Sequence, residues 1–192
     1  MVLRAVTILA LVYTAIPGLA NPAGAQSLDA GARAQIEALR QEEMRKLVVH
    51  ERAVPAPDVL FEGPDGAETT LAASDGALRL VNFWATWCAP CREEMPALQA
   101  LAEAFATQGL KVMLVATGRN SPEAIARFFR EEDVAMETSL DPRSALARAM
   151  GVPGLPVTVI LNRDGDEIAR LLGGADWNGA SARAIVADLL SR

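Results

Sequence analysis

Cysteine and histidine are nearly missing from this 192-residue sequence, which has two of the first and one of the second. Two cysteines cannot staple a disulfide-dependent mini-domain. With a single histidine they cannot complete the usual four-ligand zinc site. A basic cluster is lacking too. There are 18 Lys and Arg against 24 Asp and Glu, a net charge of −6, so the electrostatic footprint of a nucleic-acid binder is absent. Glycine (14) and proline (11) stay near average usage, which excludes collagen-like and low-complexity chains. No internal repeat is visible. What remains is 51% hydrophobic and 22% charged, the chemistry of a globular protein. The length suits one domain with a full core and is short for two.

Charge is also scarce at the start. Arg4 is the only charged side chain before Asp29. After it come an apolar run over residues 5–16, Pro17-Gly18, and the small residues Ala23-Gly24-Ala25. A basic start, an apolar centre and a small-x-small site make a secretory signal over residues 1–25. The other reading is an uncleaved membrane anchor, although Pro17, Gly18, Asn21 and Pro22 interrupt its second half. Either way the remainder is expected outside the cytoplasm, in a periplasm-like compartment where disulfides form and persist.

Residues 26–56 are expected to be a charged helical leader. Ile36, Leu39, Leu47 and Val48 give it a thin apolar stripe, which suits a spacer helix or a partly docked segment. The helical pattern runs over residues 28–52, and Ala53-Val54-Pro55-Ala56-Pro57 breaks it and marks a domain boundary. The domain proper is expected over residues 57–192. A hairpin is signalled around Pro64-Asp65-Gly66, and a buried strand over residues 78–84. A helix over residues 88–107 carries Met95, Leu98, Leu101 and Phe105 on one face. Then follow a strand (110–116), a helix capped by Ser121, a short strand (136–140) and a short helix ending at Gly151. A second hairpin about Asp164-Gly165 and a last helix capped by Ser181 complete the chain. This order predicts an α/β fold with a mixed central sheet, helices on both faces and an added N-terminal β-hairpin.

Both cysteines lie in Trp87-Cys88-Ala89-Pro90-Cys91. Cys88 follows a buried strand and opens a helix, so free N–H groups and the positive end of the helix dipole face its sulfur. They favour the thiolate, which is the nucleophile. Cys91, three residues on and further inside, is placed to resolve a mixed disulfide. Pro90 sits in the first turn, where its missing N–H costs nothing. A purely structural disulfide here would close a short loop and constrain the unfolded chain little. A Cu(I) site made by the two thiolates is a further reading.

The segment from Asn82-Phe83-Trp84 through Trp87-Cys88-Ala89-Pro90-Cys91 to Glu94-Met95-Pro96 resembles the active-site region of the thioredoxin superfamily. The likeness is greatest to its exported TlpA/ResA/CcmG branch, TlpA in particular. It continues through Gly154-Leu155-Pro156-Val157-Thr158, where that family carries a cis-proline loop, and through Gly173-Gly174-Ala175-Asp176-Trp177. The resemblance implies a thioredoxin-like fold and a thiol:disulfide oxidoreductase whose redox-active disulfide is Cys88–Cys91. It implies an acid/base role for Glu94 in place of the buried Asp that thioredoxin has at the position of Asn82. For Glu94 the alternative is a solvated helix residue. Pro96 corresponds to the family's helix-kinking proline. Pro156 would be the cis-proline, and Leu155, Trp87, Ala89 and Pro90 would border the client. Trp84 and Trp177 are expected in the core, and the lone His50 is expected solvated, without a role.

No cofactor and no metal are expected, since the disulfide itself carries the electrons. The implied partners are client proteins with oxidised cysteine pairs, such as apocytochrome c or the copper-site proteins of a haem–copper oxidase. A membrane thiol-electron transporter would be the reductant source. A monomer is expected, with attachment to the inner membrane through the N-terminus as an option and no nucleic-acid partner. A copper(I) chaperone and a DsbA-like oxidant are the competing functions. A peroxidase fits less well, because a peroxidatic cysteine needs no partner at this spacing.

Overall fold

The computed structural model describes residues 27–192, so the signal or anchor expected over residues 1–25 lies outside the described part. Eight strands form one mixed sheet in the spatial order β1 (Val48–Pro55), β8 (Asp166–Leu172), β7 (Val157–Leu161), β4 (Leu78–Trp84), β5 (Leu110–Thr117), β6 (Thr138–Asp141), β2 (Phe61–Glu62) and β3 (Glu68–Thr69). Its centre is β4 (Leu78–Trp84), in which every residue is buried. That strand runs parallel to β5 (Leu110–Thr117) and antiparallel to β7 (Val157–Leu161). A strand covered on both faces reads as a continuous apolar run, as Leu78-Arg79-Leu80-Val81-Asn82-Phe83-Trp84 nearly does. β8 (Asp166–Leu172) follows β7 in a hairpin, and β6 (Thr138–Asp141) pairs with β5. The expected N-terminal hairpin is present as β2 (Phe61–Glu62) and β3 (Glu68–Thr69), placed on one edge of the sheet beside β6.

The alternation of β4 divides the core in two. Leu78, Leu80 and Trp84 pack with buried residues of α1 (Ala30–Leu39), α2 (Ala89–Phe105), α3 (Pro122–Glu131) and α5 (Ala180–Leu190). Val81 and Phe83 pack on the other face with Leu146 and Ala147 of α4 (Ala145–Ala149). Asn82, at the same parity as Leu80 and Trp84, therefore belongs to the face that α2 covers.

The leader differs from expectation. Its helix ends at Leu39, a 3-10 turn spans Glu42–Lys46, and Val48–Pro55 is a strand, β1, antiparallel to β8. β-Branched Val48, Val49 and Val54 favour a strand over a helix once an edge is available to pair with. Ile36, Met44 and Leu47 are almost fully buried in the same core as α2 and α5. Ser181 does not cap the last helix; Gly179 occupies that position. The Ser181 hydroxyl instead donates to the Leu39 carbonyl and accepts from the Gln41 N–H, pinning the leader to α5. His50 is not solvated: its Nε2 lies 2.7 Å from Oε1 of the buried Glu167, which also takes two bonds from Arg170. Ser121 does cap α3, accepting from the Ala124 N–H. Among the described residues no helix is long and apolar enough to cross a membrane.

Candidate functional site

β4 ends at Trp84, and four residues later Cys88 is the N-cap of α2. The connection is held tightly. The Asn120 side-chain oxygen accepts from both the backbone N–H and the hydroxyl of Thr86, at 2.8 and 3.0 Å, while its amide donates to Thr117. Asn120, which the sequence reading did not single out, thus fixes the segment that delivers Cys88. Trp84 anchors the same corner from below: it is fully buried, stacks on Phe129 and donates to Thr138. Trp87 is two-thirds exposed and stands beside the cysteine at the surface.

Cys88 and Cys91 are joined by a disulfide, with 5.3 Å between their Cα atoms. Cys88 keeps 6% of its surface and Cys91 none, so of the two Cys88 is the less buried. Pro90 occupies the first turn of α2, as expected. Pro96 lies inside the helix, where its ring removes the bond that the Arg92 carbonyl would otherwise accept. Met95 is fully buried in the core, which takes its sulfur away from any surface metal site at the pair. Among the described residues no three or more His, Cys, Asp or Glu side chains gather where they could hold a metal ion.

Glu94 lies three residues after Cys91 on α2, hence on the same helical face. It is buried, with 4% of its surface exposed, and three donors bond to it. Asn82 Nδ2 donates to Oε1 at 2.8 Å, and the Ala175 N–H and Trp177 Nε1 donate to Oε2 at 3.1 and 3.3 Å. Asn82 also donates to Thr158 on β7. Desolvation pushes the Glu94 carboxyl from an ordinary 4.5 up to about 7, against the bonds from Asn82, Ala175 and Trp177 and the nearby charge of Lys46, which pull it down. Such a group changes protonation near neutrality, which suits proton transfer. Trp177 is in the core as expected, and its ring N–H adds a contact to Glu94 that its apolar setting does not suggest.

The Leu155–Pro156 peptide is cis. Pro156 is buried, and the next residue, Val157, pairs with Phe83 at the end of β4 that leads to Cys88. The Pro156 carbonyl accepts from the Gly173 N–H, which ties this loop to the segment bearing Ala175 and Trp177. Leu155 is half-buried against both halves of the core.

Comparison with known proteins agrees with this geometry. The chain is 30% identical over 118 residues to the thiol-disulfide oxidoreductase ResA of Bacillus subtilis, a match covering 62% of this chain and 65% of that one. It therefore spans slightly less than two thirds of that relative's length. It is 35% identical over 122 residues to the thiol:disulfide interchange protein HelX of Rhodobacter capsulatus, covering 62% and 66%. A solved thioredoxin-family thiol:disulfide interchange protein from Chlorobium tepidum superposes with a TM-score of 0.60 at 24% identity, over 73% of this chain and 99% of that one, and shows the fold to be thioredoxin-like. Finally, the model of the AhpC/TSA family matches residues 53–167, well over half of the sequence, and the chain belongs to that family.

Proposed function

We propose that this protein is a thiol:disulfide oxidoreductase that works as a reductant of client disulfides outside the cytoplasm. One observation carries the reading: a cysteine pair across the first turn of α2, its first member slightly exposed and its second fully buried, with a carboxyl pushed up to about 7 one turn further on. In the reduced protein the Cys88 thiolate attacks one sulfur of a client disulfide. A Cys88–client bond forms, the client S–S bond breaks, and the departing client thiolate takes up a proton. Glu94 as carboxylate accepts the Cys91 proton. The Cys91 thiolate then attacks Cys88, closing the Cys88–Cys91 disulfide and releasing the second client thiolate, which is protonated in turn. Two electrons pass to the client, and the pair needs no other cofactor.

Trp87, Ala89, Pro90 and Leu155 would border the client, with Pro156 shaping the loop opposite Cys88. The exported setting rests on the signal-like residues 1–25, which serve either as a cleaved signal or as an inner-membrane anchor. Clients would be cysteine pairs that must be reduced before haem or copper insertion, and the returning electrons would come from a membrane thiol transporter. The test is a pair of variants. Cys88→Ser should abolish reduction of insulin and of an oxidised Cys-x-x-Cys-His peptide. Cys91→Ser should accumulate mixed disulfides that dithiothreitol releases. Trapping through Cys91 in the Cys88→Ser protein would reverse the roles, and no trapping in either variant would refute the exchange mechanism.

A further inference from the structure

Glu94 opens onto a cleft of about 450 Å³ between the N-terminal strap and the start of α2. Glu43, Lys46, Pro90, Glu93 and Asp176 line it together with Glu94. Three of these side chains are carboxylates, each of which opposes a negative charge on Glu94. Lys46 is the one cation in the lining. Its ammonium donates to the Gly174 carbonyl at 3.0 Å. That carbonyl and the Ala175 N–H are the two ends of a single peptide group, and the N–H donates to Glu94 Oε2 at 3.1 Å. Carbonyl and N–H point in opposite directions in a trans peptide. The ammonium and the carboxylate therefore sit at opposite poles of one dipole, the arrangement in which each bond polarises and strengthens the other.

Lys46 is exposed, but the turn that carries it is anchored. Its 3-10 turn is fastened by Met44 and Leu47, exposed by only 2% and 1%. The turn is bonded internally from Leu47 N–H to the Met44 carbonyl, and the preceding Gln41 is bonded to Ser181. We propose that Lys46 is a positioning residue of the redox site: it holds the Gly174–Ala175 peptide with its N–H aimed at Glu94 and thereby favours the ionised carboxylate. The strap that precedes β1 is on this account part of the proton-handling apparatus. This rests on the oxidoreductase reading only for its consequence in turnover; the coupling between Lys46 and Glu94 exists in the oxidised protein by itself.

The experiment is a titration of the Glu94 side-chain carbonyl carbon by NMR in the oxidised full chain, where neither cysteine titrates. Lys46→Met should raise the Glu94 midpoint by about half a pH unit, roughly a threefold change in its ionisation constant. Lys46→Arg should restore most of it, and Lys46→Gln should behave like the methionine variant. A midpoint that stays put in both neutral variants, with or without a fall in Tm, would overturn the proposal and leave Lys46 a structural contact. If the midpoint moves but Glu94→Gln leaves client reduction and its pH profile unchanged, the coupling stands and the catalytic role of Glu94 falls instead.

Discussion

At the residue scale the unusual group is Glu94, a buried carboxyl that accepts from three donors. Its folded value of about 7 lies above the ordinary 4.5, so between those values the folded chain binds a proton that the unfolded chain releases. Stability is then fully present below about 4.5 and is lost as pH rises through 7. The shift of about 2.5 units corresponds to a loss on the order of 3 kcal/mol. Glu94→Gln should remove that pH dependence in the oxidised protein, as read by urea unfolding at pH 5 and pH 8. An equal stability loss in both proteins would place the titration elsewhere. In the reduced protein at neutral pH, limiting iodoacetamide should label Cys88 and spare Cys91, because the first stands at the N-terminus of α2 and the second is wholly buried. Predominant label on Cys91 would contradict the division of roles.

At the scale of elements, the site was more legible than the leader. The Trp-Cys-x-x-Cys segment, the strand before it and the helix after it are all local, and the sequence carries them by spacing and periodicity. Glu94 and its surroundings are not local. Asn82, Ala175 and Trp177 come from a strand and a distant loop, Thr158 bonds Asn82 from a second strand, and only the folded sheet brings the three donors to one carboxyl. The leader departs from the helical pattern after Leu39 and becomes a strand from Val48, because that pattern of charges and apolar residues stops discriminating when an edge strand is half exposed. The partner that settles it, β8, lies more than 100 residues away. His50 and Ser181 were misread for the same reason, each being held by a residue remote in sequence. The strap's contribution to stability follows from its burial. Leu47→Ala removes a fully buried side chain and should cost about 2–5 kcal/mol in chemical unfolding. A change under about 0.5 kcal/mol would mean that the strap packs loosely on the core.

At the scale of the whole molecule, the sheet separates support from chemistry. One face packs α4 and the Val81–Phe83 side of β4 into an apolar cluster. The other carries α2, the cysteines and the strap. The end of β4 that feeds Cys88 is flanked by the turn holding Asn120, bonded to Thr86, and by the strand that follows Leu155–Pro156, whose Val157 pairs with Phe83. Such a scaffold serves either direction of electron flow, and the direction is set by the potential of the pair. Its equilibrium with a glutathione or dithiothreitol redox buffer at pH 7, read by alkylation of the two thiols, tests the reductant reading most directly. The reading predicts a potential nearer that of thioredoxin, about −270 mV, than that of DsbA, about −120 mV. At 30 mV per roughly 1.4 kcal/mol the two are far apart. A value above about −160 mV would contradict the reading and make the protein an oxidant of its clients.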